Sequence, residues 1–292
     1  MPELPEVETV RRGLEPVLVG NAFARVEQRR PDLRFPLPKR FGERLSGRRI
    51  EALDRRAKYL LARLDDGEVL VMHLGMTGRF RIDRANGMQP GKVAQAQKPA
   101  PKHEHIVFHL GDGTAVRYSD TRRFGYMDLI PQDALEQHAL FKGLGLEPLS
   151  EAFTAEWLAA RLKGKATSIK AALIDQKLIA GLGNIYVCEA LYRAGISPVR
   201  LAGSLASKSA KPTKKTEALV ASIKAVLEDA IKAGGSTLRD YARADGRLGR
   251  FQHRFKVYRR EGKPCPRKGC GGTVRRIVQG GRSTFYCPTC QR

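Results

Sequence analysis

The four cysteines near the end of the chain constrain its fold more than any other feature. Cys265 and Cys270 form one close pair, Cys287 and Cys290 form another, and sixteen residues separate the pairs. Two close pairs of thiolates are typical ligands of a structural zinc ion, which can fold a segment too short to build its own core. The sequence therefore predicts one structural Zn²⁺ holding a basic hairpin, in preference to disulfides or free thiols. Cys188 instead lies on an apolar helical face and is predicted to be a buried, inert thiol.

The chain is strongly basic, and the excess is concentrated late in the sequence. It holds 53 Lys and Arg against 30 Asp and Glu, a formal charge of +23, and residues 236–292 hold 15 basic and 3 acidic side chains. Such a local excess is typical of nucleic-acid binding, because neutralising phosphates releases counterions. A solvated basic surface, or one that contacts acidic lipid, is the alternative, but no polybasic stretch adjoins an apolar anchor. With no spanning apolar run and no secretory signal pattern, we expect a cytoplasmic protein without a membrane partner.

The first part of the chain predicts a helix followed by an antiparallel β-sandwich. Apolar residues recur at helical spacing from Val7 onwards, Gly20 is a plausible stop, and Pro16 is expected to distort the helix or end it early. Further on, apolar segments alternate around tight glycine turns, as in β-hairpins. The predicted hairpins pair residues 58–64 with 68–74 and residues 105–110 with 114–120. Residues 83–102 are rich in Gly, Pro, Gln and Lys and predict a loop between them.

Later segments return to a helical period, so the second part of the chain is predicted to be helical. The predicted helices lie within residues 168–179, 184–196 and 216–234. Between the last two, the small and basic segment 203–216 is predicted to be a mobile loop. The whole chain is thus predicted to be α+β and multidomain, with domains at residues 2–134, 150–255 and 256–292.

A glycine turn between two predicted helices is a candidate phosphate site. Gly181 and Gly183 precede Asn184, which is the predicted cap of the next helix, and free amides at a helix start attract anions. Lys163 and Lys165 lie before the preceding helix and favour this interpretation. An ordinary helix-helix turn explains the same glycines equally well.

Arg282 follows two glycines at the predicted tip of the zinc hairpin. A turn of this kind lets backbone amides and one guanidinium approach a phosphate together. A solvated arginine is the equal alternative.

The N-terminal Met-Pro-Glu sequence raises a chemical possibility. If Met1 is removed, Pro2 carries a free secondary amine, which can condense with an aldehyde carbon to give a cationic iminium, a strong electron sink. Glu3 could then act as acid and base at the same carbon. If Met1 stays, this nitrogen is an amide and the chemistry is blocked. A Pro-Glu start is also an ordinary helix leader, and taken alone this second interpretation is favoured.

Six motifs occur along the chain in the order MPELPEVETVRRGL, RRAKYLL, HLGMTG, DTRRFG, GLGNIY and GRSTFYCPTCQ. Together they closely resemble the motifs of formamidopyrimidine-DNA glycosylase, a bacterial base-excision repair enzyme for oxidised purines. The resemblance implies that Pro2 is the nucleophile at C1′ and that Glu3 is the proton donor that helps to open the sugar. It further implies that Lys58 assists β-elimination and that Arg282 supports δ-elimination.

The same resemblance implies a set of DNA contacts. Met76, Arg122 and Phe124 match the side chains that enter the duplex and fill the space of an expelled base, although taken alone Met76 and Phe124 would be predicted in the core. The implied phosphate or DNA contacts are His103, Arg122, Lys165 and Asn184. The GLGNIY motif falls in the helix-two-turn-helix element of the family.

Two features depart from the family pattern. Arg247 stands where many relatives have lysine near the flipped base, and the insertion at 83–102 is longer than expected. The predicted function is that of a monomeric bifunctional DNA glycosylase and lyase for oxidised purines in duplex DNA. An endonuclease VIII-like enzyme for oxidised pyrimidines and a catalytically silent, zinc-containing DNA-binding protein are the alternatives.

Overall fold

The computed structural model describes residues 2–84, 101–237, 244 and 247–292. The chain divides into two compact units, Met1–Lys142 with Ile231–Gln252, and Gly143–Ala230 with His253–Arg292. The zinc segment therefore belongs to the same unit as the helices that precede it. Residues 231–252, by contrast, belong to the first unit. These units divide the chain differently from the sequence-based domains, whose boundaries remain predictions. Most of the 83–102 insertion lies outside the described residues.

The first unit is a helix followed by two antiparallel sheets. Its helices are α1 (Leu4–Leu18) and the short α2 (Phe41–Leu45). Its described strands are β1 (Phe23–Gln28), β2 (Ile50–Arg56), β3 (Tyr59–Leu64), β4 (Glu68–His73), β5 (Arg79–Asp83), β6 (Glu104–Leu110), β7 (Ala115–Ser119) and β8 (Tyr126–Pro131). One sheet has the order β1-β6-β7-β5 and the other the order β2-β3-β4-β8. The predicted hairpins are the antiparallel pairs β3–β4 and β6–β7, and the predicted sandwich is confirmed.

Helix α1 and both sheets bury their apolar faces in one continuous core. Leu14 of α1, Leu60 of β3 and Phe108 of β6 all belong to this cluster. Each such side chain contributes about 1.5 to 3 kcal/mol when it is fully removed from water. The first unit therefore has an apolar core that involves no metal ligand among its described residues.

Pro16 does not end α1 early, so the expected early end was wrong. The helix continues to Leu18, and Gly20 follows it with φ +85°. Pro16 lies on the exposed side of the last turn, whereas its neighbours Val17 and Leu18 are buried in the core. Burial of these neighbours outweighs the one backbone hydrogen bond that proline cannot donate.

The second unit is built around helix α5. Its other helices are α3 (Ala155–Leu162), α4 (Ile169–Ile174) and most of α6 (Lys214–Lys232), and α5 itself spans Asn184–Ala194. The buried carboxylate of Glu189 on α5 accepts hydrogen bonds from the backbone N–H groups of Lys256, Val257 and Tyr258, at 2.8 to 3.0 Å. The chain that leads into the zinc segment is thereby held against α5. In the described part of the chain, no helix is both long and apolar enough to cross a membrane.

Segment 203–216 is more ordered than the predicted mobile loop. A short 3₁₀ helix, Ala202–Leu205, enters it, and the carbonyl of Leu205 accepts hydrogen bonds from the hydroxyls of Thr213 and Thr216. Leu205 and Thr216 are fully buried. Composition missed this because threonine hydroxyls can replace the backbone partners that a loop otherwise lacks.

Candidate active site and DNA interface

The N-terminal residues are buried at the start of α1. Pro2 is buried, and Glu3 is the N-cap residue with only 4% of its surface exposed. Glu6 closes a capping box, because its Oε2 accepts from the Glu3 backbone N–H at 2.9 Å. Its Oε1 accepts from the Ser236 backbone N–H at 2.7 Å. Glu6 thus fixes the backbone that carries Pro2 and Glu3, a role that the Glu-x-x-Glu spacing could have indicated.

Lys58 is buried in the same unit. It lies in the turn between β2 and β3, after Ala57 with φ +53°, and only 7% of its surface is exposed. Lysine side chains are seldom buried in proteins, so Lys58 is not simply a solvated surface cation. Burial, assisted by the charges of Lys58 and Arg34, lowers the pKa of His73 to about 4. His73 is therefore neutral at pH 7, and its Nδ1 accepts from the Gly75 backbone N–H at 3.1 Å.

Met76, Arg122 and Phe124 form an exposed group on two loops of the first unit. Met76 is 38% exposed and Phe124 is 41% exposed, contrary to the core positions that their residue types alone predict. The guanidinium carbon of Arg122 lies 4.7 Å from the centre of the Phe124 ring, within cation–π range. An exposed apolar pair with an adjacent planar cation can replace the stacking and pairing of an absent base. Their role on DNA remains a prediction.

A buried carboxylate, Asp120, joins these two loops. Its Oδ1 accepts from the Thr77 hydroxyl, and its Oδ2 accepts from the Gly125 backbone N–H at 2.7 Å. The Thr77 hydroxyl oxygen in turn accepts from the Arg122 backbone N–H at 3.0 Å. At Gly75 a side chain would lie 2.2 Å from the backbone of Phe124, so only glycine allows this approach. Sequence reasoning missed Asp120 and Thr77, although both lie inside the quoted motifs.

The backbone of His103 is hydrogen-bonded to the backbone of Asp120. Its carbonyl accepts from the Asp120 backbone N–H at 3.0 Å, and its side chain is partly exposed. His105 donates from Nε2 to the Asp120 carbonyl at 2.8 Å, since a carbonyl oxygen can only accept. The backbones of His103 and Arg122, two of the predicted DNA contacts, are thus both anchored to Asp120, that of Arg122 through Thr77.

In the second unit, the glycine turn before α5 is organised by Gln176. Its side chain donates to the carbonyls of Ile174 and Leu182 and accepts from the Gly181 backbone N–H, at 2.8 to 2.9 Å. For this reason the helix predicted over 168–179 ends at Ile174. The predicted capping role of Asn184 was wrong, because Gly183 is the N-cap residue.

Asn184 instead connects α5 to the zinc hairpin. Its Nδ2 donates to the carbonyl of Ser283 at 2.9 Å. An amide nitrogen carries two hydrogens, so one N–H can still donate to a phosphate. Lys163 and Lys165 are exposed, as a phosphate contact requires. The structure brings Asn184 beside Arg282, the residue that precedes Ser283.

The zinc hairpin consists of β9 (Arg275–Gln279) and β10 (Arg282–Tyr286). Gly280 and Gly281 form its two-residue turn, both with positive φ, and Arg282 follows the turn with an exposed side chain. This arrangement agrees with the tip position predicted for Arg282. Underneath, the fully buried Lys170 donates from Nζ to the Thr284 hydroxyl at 2.6 Å. Burial lowers the pKa of Lys170, and the nearby positive charge of Arg282 also lowers it.

The four predicted zinc ligands lie together at the other end of the hairpin. All four sulfur atoms are within 4.8 Å of one another, with Cys265 and Cys290 3.8 Å apart and Cys270 and Cys287 3.6 Å apart. Tetrahedral zinc with Zn–S bonds near 2.3 Å requires sulfur separations of about 3.8 Å, whereas a disulfide requires about 2.05 Å. The donor set therefore fits one structural Zn²⁺. Cys188 is buried behind this site, as predicted.

Arg247 is partly buried, and most of the loop around it lies outside the described residues. Its effect on lesion preference remains a prediction.

Family models match three successive parts of the chain. Residues 1–127 match the formamidopyrimidine-DNA glycosylase N-terminal domain, residues 144–242 match the H2TH domain of the same enzyme, and residues 262–292 match a zinc finger found in FPG and IleRS. Curated formamidopyrimidine-DNA glycosylases from Beijerinckia indica and Caulobacter vibrioides are 61% and 57% identical over the full length of both chains.

Solved structures are similar over the same extent. A Lactococcus lactis FPG mutant bound to DNA containing Fapy-dG has a TM-score of 0.84 at 35% identity, with both chains fully covered. The MutM (FPG) protein from Thermus thermophilus has a TM-score of 0.81 at 42% identity, covering 99% of this chain and 98% of that one. A β-sandwich with a buried Pro-Glu start, an H2TH domain and a four-cysteine hairpin together define a DNA repair glycosylase. The chain belongs to the formamidopyrimidine-DNA glycosylase family.

Proposed function

We propose that this enzyme excises oxidised purines, 8-oxoguanine and formamidopyrimidines, from duplex DNA through a Schiff base on Pro2 and then cleaves the strand by β,δ-elimination. The burial of Pro2, Glu3 and Lys58 in one unit is the observation that carries the proposal. Glutamate and lysine are residue types that are seldom buried to this extent. Similar solved structures support the substrate class, since they include complexes of Lactococcus lactis Fpg with DNA containing Fapy-dG or an abasic site.

The proposed reaction begins at the sugar. The Pro2 nitrogen attacks C1′ of the damaged nucleotide, the C1′–N bond to the base breaks, and the base leaves with a proton. Glu3 protonates the ring oxygen as the sugar opens, which leaves a cationic iminium between Pro2 and C1′. Because proline is a secondary amine, this iminium has no proton on nitrogen to lose and remains an electron sink.

Strand cleavage follows from the same iminium. It acidifies the C2′ proton, whose removal expels the 3′ phosphate, and Lys58 assists this step. A second elimination expels the 5′ phosphate, supported by Arg282. The expected product is a one-nucleotide gap with a phosphate on each end.

Recognition of the duplex rests on the exposed groups. Met76 and Phe124 fill the space of the flipped nucleotide, and the Arg122 guanidinium pairs with the orphaned cytosine. His103, Lys165 and Asn184 contact phosphates. The zinc ion supplies no chemistry to the reaction, since its four ligands are all cysteines and a structural site of this kind is closed.

Borohydride trapping tests the mechanism directly. Purified enzyme with a processed N-terminus is incubated with a duplex holding 8-oxoguanine opposite cytosine, reduced, and mapped by peptide mass spectrometry. We expect a covalent adduct at Pro2 and a strong loss of excision in Pro2→Gly, whose primary amine gives an imine that can lose its proton, with duplex binding retained by the variant. An adduct mapped to a lysine, or an intact abasic strand as the only product, contradicts the proposed mechanism.

Substrate choice is tested by comparing duplexes that hold 8-oxoguanine or thymine glycol. We expect faster cleavage of the 8-oxoguanine duplex. Preference for thymine glycol would indicate an oxidised-pyrimidine enzyme of the endonuclease VIII type. Binding without excision of either base would indicate a silent DNA-binding protein.

A further inference from the structure

A tyrosine on α5 contacts one of the zinc ligands from outside the metal-binding segment. Tyr192 lies in the last turn of α5 and is only 6% exposed. Its hydroxyl oxygen is 3.5 Å from the Sγ of Cys265, within hydrogen-bond distance for sulfur. The ring packs in the small apolar cluster behind the site, together with Val274 and Phe285 of the zinc segment.

The direction of this hydrogen bond is determined by the metal. A cysteine that binds zinc does so as a thiolate and carries no proton. Between Tyr192 and a zinc-bound Cys265, only the tyrosine hydroxyl can therefore donate. The sulfur is a weak acceptor when neutral but carries negative charge as a ligand, which strengthens the bond.

Arg267 also contacts Tyr192, through both the ring and the backbone carbonyl. Its guanidinium carbon lies 5.0 Å from the ring centre, and its Nη2 donates to the Tyr192 carbonyl at 2.5 Å. Arg267 belongs to the loop between Cys265 and Cys270, so the same loop supplies both a zinc ligand and the clamp on the tyrosine. Tyr192 is thus contacted by two groups of the same segment, the Arg267 guanidinium and the Cys265 sulfur.

We propose that the Tyr192 hydroxyl is an outer-sphere donor of the zinc site, which stabilises the Cys265 thiolate and slows release of the metal. Four thiolates and one Zn²⁺ carry a formal charge of −2, and a hydrogen bond to a ligand sulfur offsets part of that charge. Loss of such outer partners commonly weakens metal binding about 10-fold or more. The proposal concerns metal retention and does not depend on the reaction at Pro2.

The test compares Tyr192→Phe with the wild-type enzyme and with Tyr286→Phe. Phenylalanine keeps the ring and its packing, so only the hydroxyl is removed. Tyr286 adjoins the ligand Cys287, and no hydrogen bond of its hydroxyl is found among the described residues, which makes it a matched control. Zinc release from each holoenzyme is followed with the chromophoric chelator 4-(2-pyridylazo)resorcinol, and each protein is also loaded with Co²⁺ for absorption spectra.

We expect zinc release to be about 10-fold faster in Tyr192→Phe and unchanged in Tyr286→Phe. The thiolate-to-cobalt charge-transfer band should move to lower energy in Tyr192→Phe, because the sulfur is then more electron-rich. Equal release rates and an unmoved band in Tyr192→Phe would overturn the proposal. If Tyr192→Phe does not fold, Arg267→Gln provides the second test, and it should accelerate release because the ring is no longer clamped; release at the wild-type rate would count against the proposal.

Discussion

The β-sandwich of the first unit and the zinc segment of the second unit contain buried charged groups of different kinds, and the stability of these two regions has different sources. In the first unit, α1 and two sheets share a continuous apolar core, and the buried Asp120 is satisfied by hydrogen bonds from two loops. In the second unit, the zinc segment has only a small cluster of buried side chains around four thiolates. The difference teaches that one chain can position functional groups on an apolar core in one place and on a metal ion in another.

Removal of zinc should give the largest difference in stability between the zinc segment and the β-sandwich. Structural zinc contributes about 10 kcal/mol or more to the folding of zinc-finger peptides, which the small cluster behind the ligands cannot replace. With a strong chelator, we expect amides of β9 and β10 to lose protection from hydrogen exchange, whereas amides of β3 and β4 keep theirs. Hydrogen exchange with mass spectrometry measures both regions in one experiment.

A matched pair of cysteine variants controls for the chelator. Cys287→Ser should lose the metal and the hairpin protection, and Cys188→Ser should retain both, since Cys188 is buried beside the site without being a ligand. Loss of protection in β3 and β4 together with the hairpin would show that the sandwich also depends on zinc.

Asp120→Asn should have the next largest effect, confined to the first unit. An amide cannot accept from both Thr77 and the Gly125 N–H, and a buried unsatisfied donor costs about 1 to 3 kcal/mol. We expect a loss of about 2 kcal/mol in urea unfolding followed by far-UV circular dichroism. The chain has a single tryptophan, Trp157 in the second unit, so the fluorescence midpoint should stay unchanged.

Asp112→Asn is the control for this substitution. Asp112 lies in an exposed turn and accepts from the Thr114 N–H at 2.9 Å, a contact that asparagine can also make. Its effect should stay below about 0.5 kcal/mol. An equal loss in both variants would mean that the buried position of Asp120 does not matter.

The last predicted effect is a pH dependence of the first unit from His73, comparable in size to that of Asp120→Asn but present only at acidic pH. Its pKa is lowered to about 4 in the folded chain, chiefly by burial, against about 6.5 when unfolded. A lowered histidine pKa gives stability that is present above pH 6.5 and lost as the pH falls towards 4. Between pH 7 and pH 5, wild type should lose about 2 kcal/mol more than His73→Phe. Urea unfolding at both pH values measures this difference, and equal losses would contradict the buried, neutral histidine.

Much of the fold followed from periodicity in the sequence. The β3–β4 and β6–β7 hairpins have apolar runs on either side of short glycine turns, and α6 has a long helical period. The four zinc ligands were predicted from spacing alone, because metal coordination brings close pairs together whatever the intervening residues are. Each of these features depends on residues that are close together in the chain, so each can be predicted from a short stretch of sequence.

The remaining features depend on contacts between distant segments. Met76 and Phe124 have residue types typical of a core, yet both are exposed, on two loops that Asp120 joins across a long sequence separation. Asn184 is a good capping residue, yet its side chain bonds Ser283, far away in the chain. The contacts of Glu6 with Ser236 and of Tyr192 with Cys265 were likewise not recognised, because a hydrogen bond to a distant backbone or sulfur leaves no periodic signal.

The junction at Asp120 also has a mechanical consequence. A push on the tip of either exposed loop is transmitted through the Thr77–Asp120–Gly125 hydrogen bonds into β7 and β8, so the two tips move as one body. The load is then carried by the sheets of the sandwich, where it is distributed over many backbone hydrogen bonds. The proposed entry of Met76 and Phe124 into the duplex requires loops that resist displacement, and one buried carboxylate connects the two loops.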